Sequence, residues 1–137
     1  MAKDASTILV VDDYVDNRVL LSAWLRAKGY KVVEAQDGKE GVVQANRSHP
    51  DLILMDLAMP ELDGIEATRQ LRQRHAFSHT PIFAISAYAT HDVKDDALAA
   101  GCTDVFDKPL DLSMLLGKIQ STLEMSAANY HAVAAAK

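Results

Sequence analysis

Five polar residues stand where short aliphatic runs end. Asp12 and Asp13 follow Ile8-Leu9-Val10-Val11, and Asp56 follows Leu52-Ile53-Leu54-Met55. Ser86 closes Ile82-Phe83-Ala84-Ile85, while Lys108, with Pro109 behind it, comes just after Val105-Phe106. Brought together, such a set has a defined chemistry. Two carboxylates about 4 Å apart repel by roughly 4 kcal/mol at an effective dielectric near 20. Three in one pocket would protonate or splay unless cations join them. Lys108 offers one positive charge, and a hard divalent ion suits the rest, because oxygen-only ligands select magnesium, calcium or manganese. Magnesium is the best fit, with Mn2+ or Ca2+ as substitutes, since it keeps several waters and leaves places for a phosphate oxygen. No histidine or cysteine lies beside these positions, which argues against zinc. In such a pocket a carboxylate can attack phosphorus and form an acyl phosphate. The metal and the lysine would neutralise the moving phosphoryl group, and a hydroxyl would hold one of its oxygens.

The elements that must position these residues are legible in the hydrophobic pattern. A fifth aliphatic run, Val32-Val33, joins the four above. Three of the runs are nearly continuous, which suits strands buried on both faces of a parallel sheet. Helical patterns lie between them. Leu20, Leu21, Trp24 and Leu25 are expected on one buried face of a helix over residues 14–28 that stops at Gly29. Asp37 with Glu40, and Asp63 with Glu66, have capping-box spacing. Thr90 is placed to cap a helix ending at Gly101, and Asp111 to cap a last helix striped by Leu112, Leu115, Leu116, Ile119 and Leu123. Strand and helix alternate five times, which predicts an α/β fold, an open five-stranded parallel sheet with helices on both faces. In such sheets ligands bind beyond the carboxyl ends of the strands, and all five polar residues fall on that edge. The second strand ends in Glu34-Ala35 and adds nothing evident to the site.

The 137 residues make about one domain. Residues 1–125 are expected to form it, with the Ala-rich 126–137 extending the last helix or fraying. Apolar residues make up 49%, which excludes a disordered or low-complexity chain. The net charge of -5 argues against a nucleic-acid-binding face. A single cysteine, Cys102, excludes an internal disulfide. No apolar run approaches the roughly 18 residues of a membrane span, and no targeting segment is evident, so a cytoplasmic chain without membrane insertion is expected.

Taken in order, these segments resemble the receiver domain of two-component response regulators. The resemblance covers about residues 6–124. It is carried by Ile8-Leu9-Val10-Val11-Asp12-Asp13, by Asp51-Leu52-Ile53-Leu54-Met55-Asp56 running into Leu57-Ala58-Met59-Pro60 and Leu62-Asp63-Gly64, by Ile85-Ser86-Ala87, by Gly101-Cys102, and by Asp107-Lys108-Pro109. It implies a doubly wound, flavodoxin-like (βα)5 fold with strand order 2-1-3-4-5. It further implies that Asp56 is the phospho-acceptor and that Asp12, Asp13, Asp56 and the backbone carbonyl of Ala58 hold Mg2+. Ser86, the backbone N–H of Ala87 and Lys108 would bind the phosphate, and the bond before Pro109 would be cis. Gly64 would serve the turn that opens the third helix.

The family places an aromatic residue three positions before the site lysine. Here that position is Val105, and the aromatic is Phe106, one residue later. A one-residue shift turns a strand side chain to the opposite face. The switch candidates are thus Ser86, Val105 and Phe106, with Phe106 read as core. Arg69, Arg72 and Arg74 read most simply as a solvated helix face, and His75 and His79 as a loop pair.

By the same resemblance the phosphoryl donor is a histidine kinase or a histidine phosphotransfer protein. It would dock on the first helix at Tyr14, Val15, Arg18, Val19 and Ser22. Output would pass to a downstream protein target from a monomer or weak dimer, and the chain would catalyse only its own phosphorylation and slow dephosphorylation. A phosphorelay shuttle and the excised receiver of a hybrid kinase stay open. A small phosphatase with an aspartate nucleophile ranks lower, because such enzymes carry an acid two residues after the nucleophile, where this chain has Ala58.

Overall fold

The computed structural model describes residues 5–57, 63–87 and 90–136, with side chains through Ser126. Strands β1 (Thr7–Val11), β2 (Lys31–Ala35), β3 (Leu52–Asp56), β4 (Ile82–Ser86) and β5 (Asp104–Asp107) alternate with helices α1 (Val15–Ala27), α2 (Gly38–Ser48), α3 (Gly64–Arg72), α4 (His91–Ala100) and α5 (Leu112–Ala136). All strand pairs are parallel and the order is β2-β1-β3-β4-β5. The sheet and its order agree with the expectation from sequence.

Local chemistry sets the helix ends. The carboxylates of Asp37 and Asp63 accept from the backbone N–H of Glu40 and Glu66 at 2.7 and 2.8 Å, and Asp111 accepts from Met114 at 3.1 Å. Helix α4 begins under the Thr90 hydroxyl and ends at Gly101, whose φ of 114° a side chain would resist. Central strands β3 and β4 are buried at every position, which explains their unbroken aliphatic runs.

Alternate strand residues feed two cores. Leu9, Val11, Ile53, Met55, Ile82 and Ala84 pack with Ala45, Ala67, Leu71 and Ala97 under α2, α3 and α4. Ile8, Val10, Leu52, Leu54, Phe83 and Ile85 pack with Leu25, Leu115 and Ile119 under α1 and α5. Each fully buried aliphatic side chain contributes about 1.5–3 kcal/mol.

Two expectations are corrected. Leu20 is 70% exposed, not part of the buried face of α1. The face that α1 buries runs instead through Arg18, Ser22 and Leu25, spaced i, i+4 and i+7, with Leu21 and Trp24 half-buried beside it. Arg72 is half-buried rather than solvated. Its Nε donates to the Gly101 carbonyl at 2.9 Å and its Nη1 to the Phe77 carbonyl, tying the end of α3 to the end of α4. His75 and His79 are both exposed in the connection after α3, in agreement with the loop reading, and a 3-10 turn at His75–Phe77 is anchored there by buried Phe77.

Candidate functional site

Parallel pairing aligns the carboxyl ends of the strands. Val11 lies opposite Met55, so Asp12 emerges beside Asp56. Asp56 pairs with Ile85 and Ser86 with Asp107, which brings Lys108 to the same edge. The loops are stitched across that edge by backbone bonds. The N–H of Asp12 donates to the Ala35 carbonyl at 3.1 Å, that of Leu57 to Ile85 at 3.1 Å and that of Lys108 to Ser86 at 2.9 Å.

The structure gathers the acids. Asp12, Asp13 and Asp56 each offer a carboxylate oxygen within 4.8 Å of the others. Asp12 and Asp56 are buried and Asp13 is exposed. Lys108 Nζ lies 3.4 Å from Asp56 Oδ2. Ser86 is buried at the end of β4, and Ala87 is exposed just beyond it. The Lys108-Pro109 bond is cis. Ala58 lies outside the described residues, so its carbonyl as a metal ligand is not placed. Gly64 opens α3 directly against the end of β3. A Cβ there would meet the Asp56 carbonyl oxygen at 2.1 Å and the Leu57 Cα at 2.9 Å, so only a glycine permits this approach.

The donor set fits a hard divalent cation. All ligands are oxygen, and three carboxylates against one ammonium leave a formal excess of two negative charges. Burying such a cluster without compensation is costly.

Two residues that sequence reasoning did not assign to the site, Arg18 (read as docking) and Glu34, serve this loop. The Arg18 guanidinium donates to the Asp12 carbonyl at 2.9 Å, and Glu34 accepts from Arg18 Nε at 3.2 Å. Glu34 therefore does contribute, and its place at the end of β2, on the same sheet edge as the acids, was the available signal. The docking set on α1 is corrected accordingly. Tyr14, Val15 and Val19 are exposed, at 56%, 53% and 50%. Arg18 is turned inward, and Ser22 is wholly buried and cannot meet a partner. Beside these residues runs a groove of about 740 Å3, whose lining includes Leu20, Leu21, Trp24 and Pro109 together with Asp12 and Lys108 of the site.

Phe106 lies in the core under α1 and α5, 5.2 Å from the Phe83 ring, and Val105 packs against the opposite core. Strand β5 pairs residue for residue with β4, with no bulge to exchange their faces.

Residues 8–120 match the family model described as response regulator receiver domain. The chain is 31% identical over 117 residues to the polar-differentiation response regulator DivK of Brucella abortus, covering 85% of this chain and 95% of that protein. Among solved structures it resembles the receiver domain of the sensor histidine kinase PA1611 of Pseudomonas aeruginosa, which has a magnesium ion coordinated in its active-site cleft. That match has a TM-score of 0.82 and 35% identity, covering 88% of this chain and 98% of that one. It also resembles a chain in the co-crystal of the Saccharomyces cerevisiae histidine phosphotransfer protein Ypd1 with the receiver domain of its downstream response regulator Ssk1. There the TM-score is 0.82 and the identity 31%, covering 93% of this chain and 94% of that one. The chain belongs to the response regulator receiver domain family. It is a phospho-acceptor module of two-component signalling rather than an enzyme with a turnover substrate, and its acid triad fits a metal site.

Proposed function

We propose that Asp56 accepts a phosphoryl group from a phosphohistidine on a histidine kinase or phosphotransfer protein. One observation carries this reading: Asp56 is the buried carboxylate that stands both in the acid triad and 3.4 Å from the Lys108 ammonium. A carboxylate oxygen of Asp56 attacks phosphorus, the P–N bond to the donor imidazole breaks, and the electron pair leaves with that nitrogen, which takes a proton from solvent. Lys108 neutralises charge on the transferring group. Ser86 and the N–H of Ala87 hold its oxygens. Asp12, Asp13 and Asp56, with the carbonyl of Ala58, would hold Mg2+. When bound, that ion supplies charge neutralisation and alignment of the phosphoryl oxygens.

The donor helix would lie along α1, against Tyr14, Val15 and Val19, with Leu20 and the groove walls completing the contact. Asp12 and Lys108 are among the residues that line the groove, which supports a donor helix seated there with its histidine toward the pocket. Residues 1–125 act as the receiver unit, with 126–137 as its extension. The setting is cytoplasmic, and no described helix is long and apolar enough to cross a membrane. Output passes to a protein target from a monomer or weak dimer.

Intact mass after incubation with acetyl phosphate and Mg2+ tests the acceptor. The wild type should gain a single phosphoryl group and Asp56→Asn none. Equal gain in both would move the acceptor elsewhere. No gain in the wild type, from acetyl phosphate or from a phosphohistidine donor, would end the reading.

A further inference from the structure

Arg18 lies in the first turns of α1, five residues beyond the acid pair, and its side chain is only 16% exposed. Its Nη1 donates to the Asp12 carbonyl at 2.9 Å and its Nε to Glu34 Oε1 at 3.2 Å. The second oxygen of Glu34 accepts from Arg26 Nη2 at 3.4 Å. The Asp12 residue is therefore held on every side. Its N–H donates to Ala35, its carboxylate accepts from the Tyr14 N–H at 2.9 Å, and its carbonyl takes the guanidinium.

We infer that Arg18 is a positioning residue for metal binding, acting through the peptide that joins Asp12 to Asp13. The peptide group is planar, so anchoring the Asp12 oxygen orients the N and Cα of Asp13. Asp13 is exposed and has little packing of its own to place its carboxylate. Glu34 holds the Arg18 guanidinium in place, so that Arg18 serves the pocket through its bond to the Asp12 carbonyl. A lysine could supply the charge but not the fork that reaches both Glu34 and the carbonyl. The inference rests on the metal-binding reading of the acid triad.

The probe is Mn2+, with binding followed by loss of the free-ion EPR signal, on protein shown to be folded by circular dichroism. Wild type should bind one ion. Arg18→Met should bind about tenfold more weakly, in the range for residues that orient metal ligands. Arg18→Lys should also weaken binding, by about threefold, because the fork is lost while the charge remains. Arg26→Met removes the other partner of Glu34 without touching the Asp12 carbonyl and should leave affinity unchanged. Wild-type affinity in Arg18→Met would overturn the inference. If that variant does not fold, Arg18→Lys decides: wild-type affinity there overturns it equally, by showing that charge suffices. Equal weakening in Arg26→Met would also overturn it, reducing Arg18 to a general stabiliser. A wild type that binds no Mn2+ would overturn the metal reading and this inference with it.

Discussion

Cys102 illustrates how burial acts on a single side chain. It is buried where α4 gives way to β5, with the Thr68 hydroxyl 3.7 Å from its sulfur. Desolvation pushes its thiol up from the ordinary range, against the opposing pull of the Thr68 hydrogen bond and the nearby Arg72 guanidinium. Burial also pushes the Tyr30 phenol up, aided by Glu124. Both groups release protons more readily from the unfolded chain. The stability they protect is therefore fully present below the unfolded thiol value, about 8.5, and is lost as pH rises through the folded one. The urea midpoint should fall on the alkaline side of that value, and Cys102→Ala should flatten the fall, leaving the share of Tyr30. Superimposable pH profiles for the two proteins would count against this account. A thiol held neutral in this way is also a poor nucleophile, so Cys102 should resist alkylation in the native state.

At the level of elements, the strands and caps were legible because each has a local cause. Unbroken aliphatic runs specify β3 and β4, and Asp37, Asp63, Thr90 and Asp111 cap the helices whose starts they mark. The acid triad and Lys108 were legible for a related reason: parallel strands bring residues just beyond their ends to one edge. The faces of α1 were less legible. Apolar spacing selects Leu20, Leu21, Trp24 and Leu25, but the face that α1 turns inward also includes Arg18, paired with Glu34, and Leu20 lies outside it. Pattern alone carries no information about a long-range ion pair. Exposed Leu20 should matter for transfer and not for the pocket. Leu20→Asp is expected to slow phosphotransfer from a cognate kinase about tenfold, a typical loss for an interface anchor, while labelling by acetyl phosphate stays at the wild-type rate. Equal slowing with both donors would place the defect in the fold. Strand β5 gives a second contrast. Phe106→Ala should cost about 3–5 kcal/mol in chemical denaturation, as for an aromatic in a packed core, whereas Val105→Ala, at a half-buried position, should cost less. Equal losses would mean that the two faces of β5 do not differ as the register requires.

Across the whole molecule, stability and function compete at the sheet edge. The fold holds three carboxylates within 4.8 Å of one another in a chain of net charge -5. Without a cation that cluster repels itself, so Mg2+ should raise the melting temperature by mass action on the folded state. Asp13→Asn should melt above the wild type in metal-free buffer, by about 4 °C for each ~1 kcal/mol of repulsion relieved in a domain of this size. The same variant should respond less to added Mg2+. A metal-free melting point at or below that of the wild type would show that the three charges are already compensated. The pocket also has a history written into chain order. Its acids have all left the ribosome by Asp56, yet the one ammonium paired with Asp56 arrives 52 residues later, with Pro109 and Leu112 of the groove wall close behind. A nascent chain interrupted before β5 carries the negative charge without its counterweight and lacks the edge strand that closes the sheet. Without Lys108 the proposed acceptor lacks its ammonium, so a chain that stops before β5 should not be labelled by acetyl phosphate.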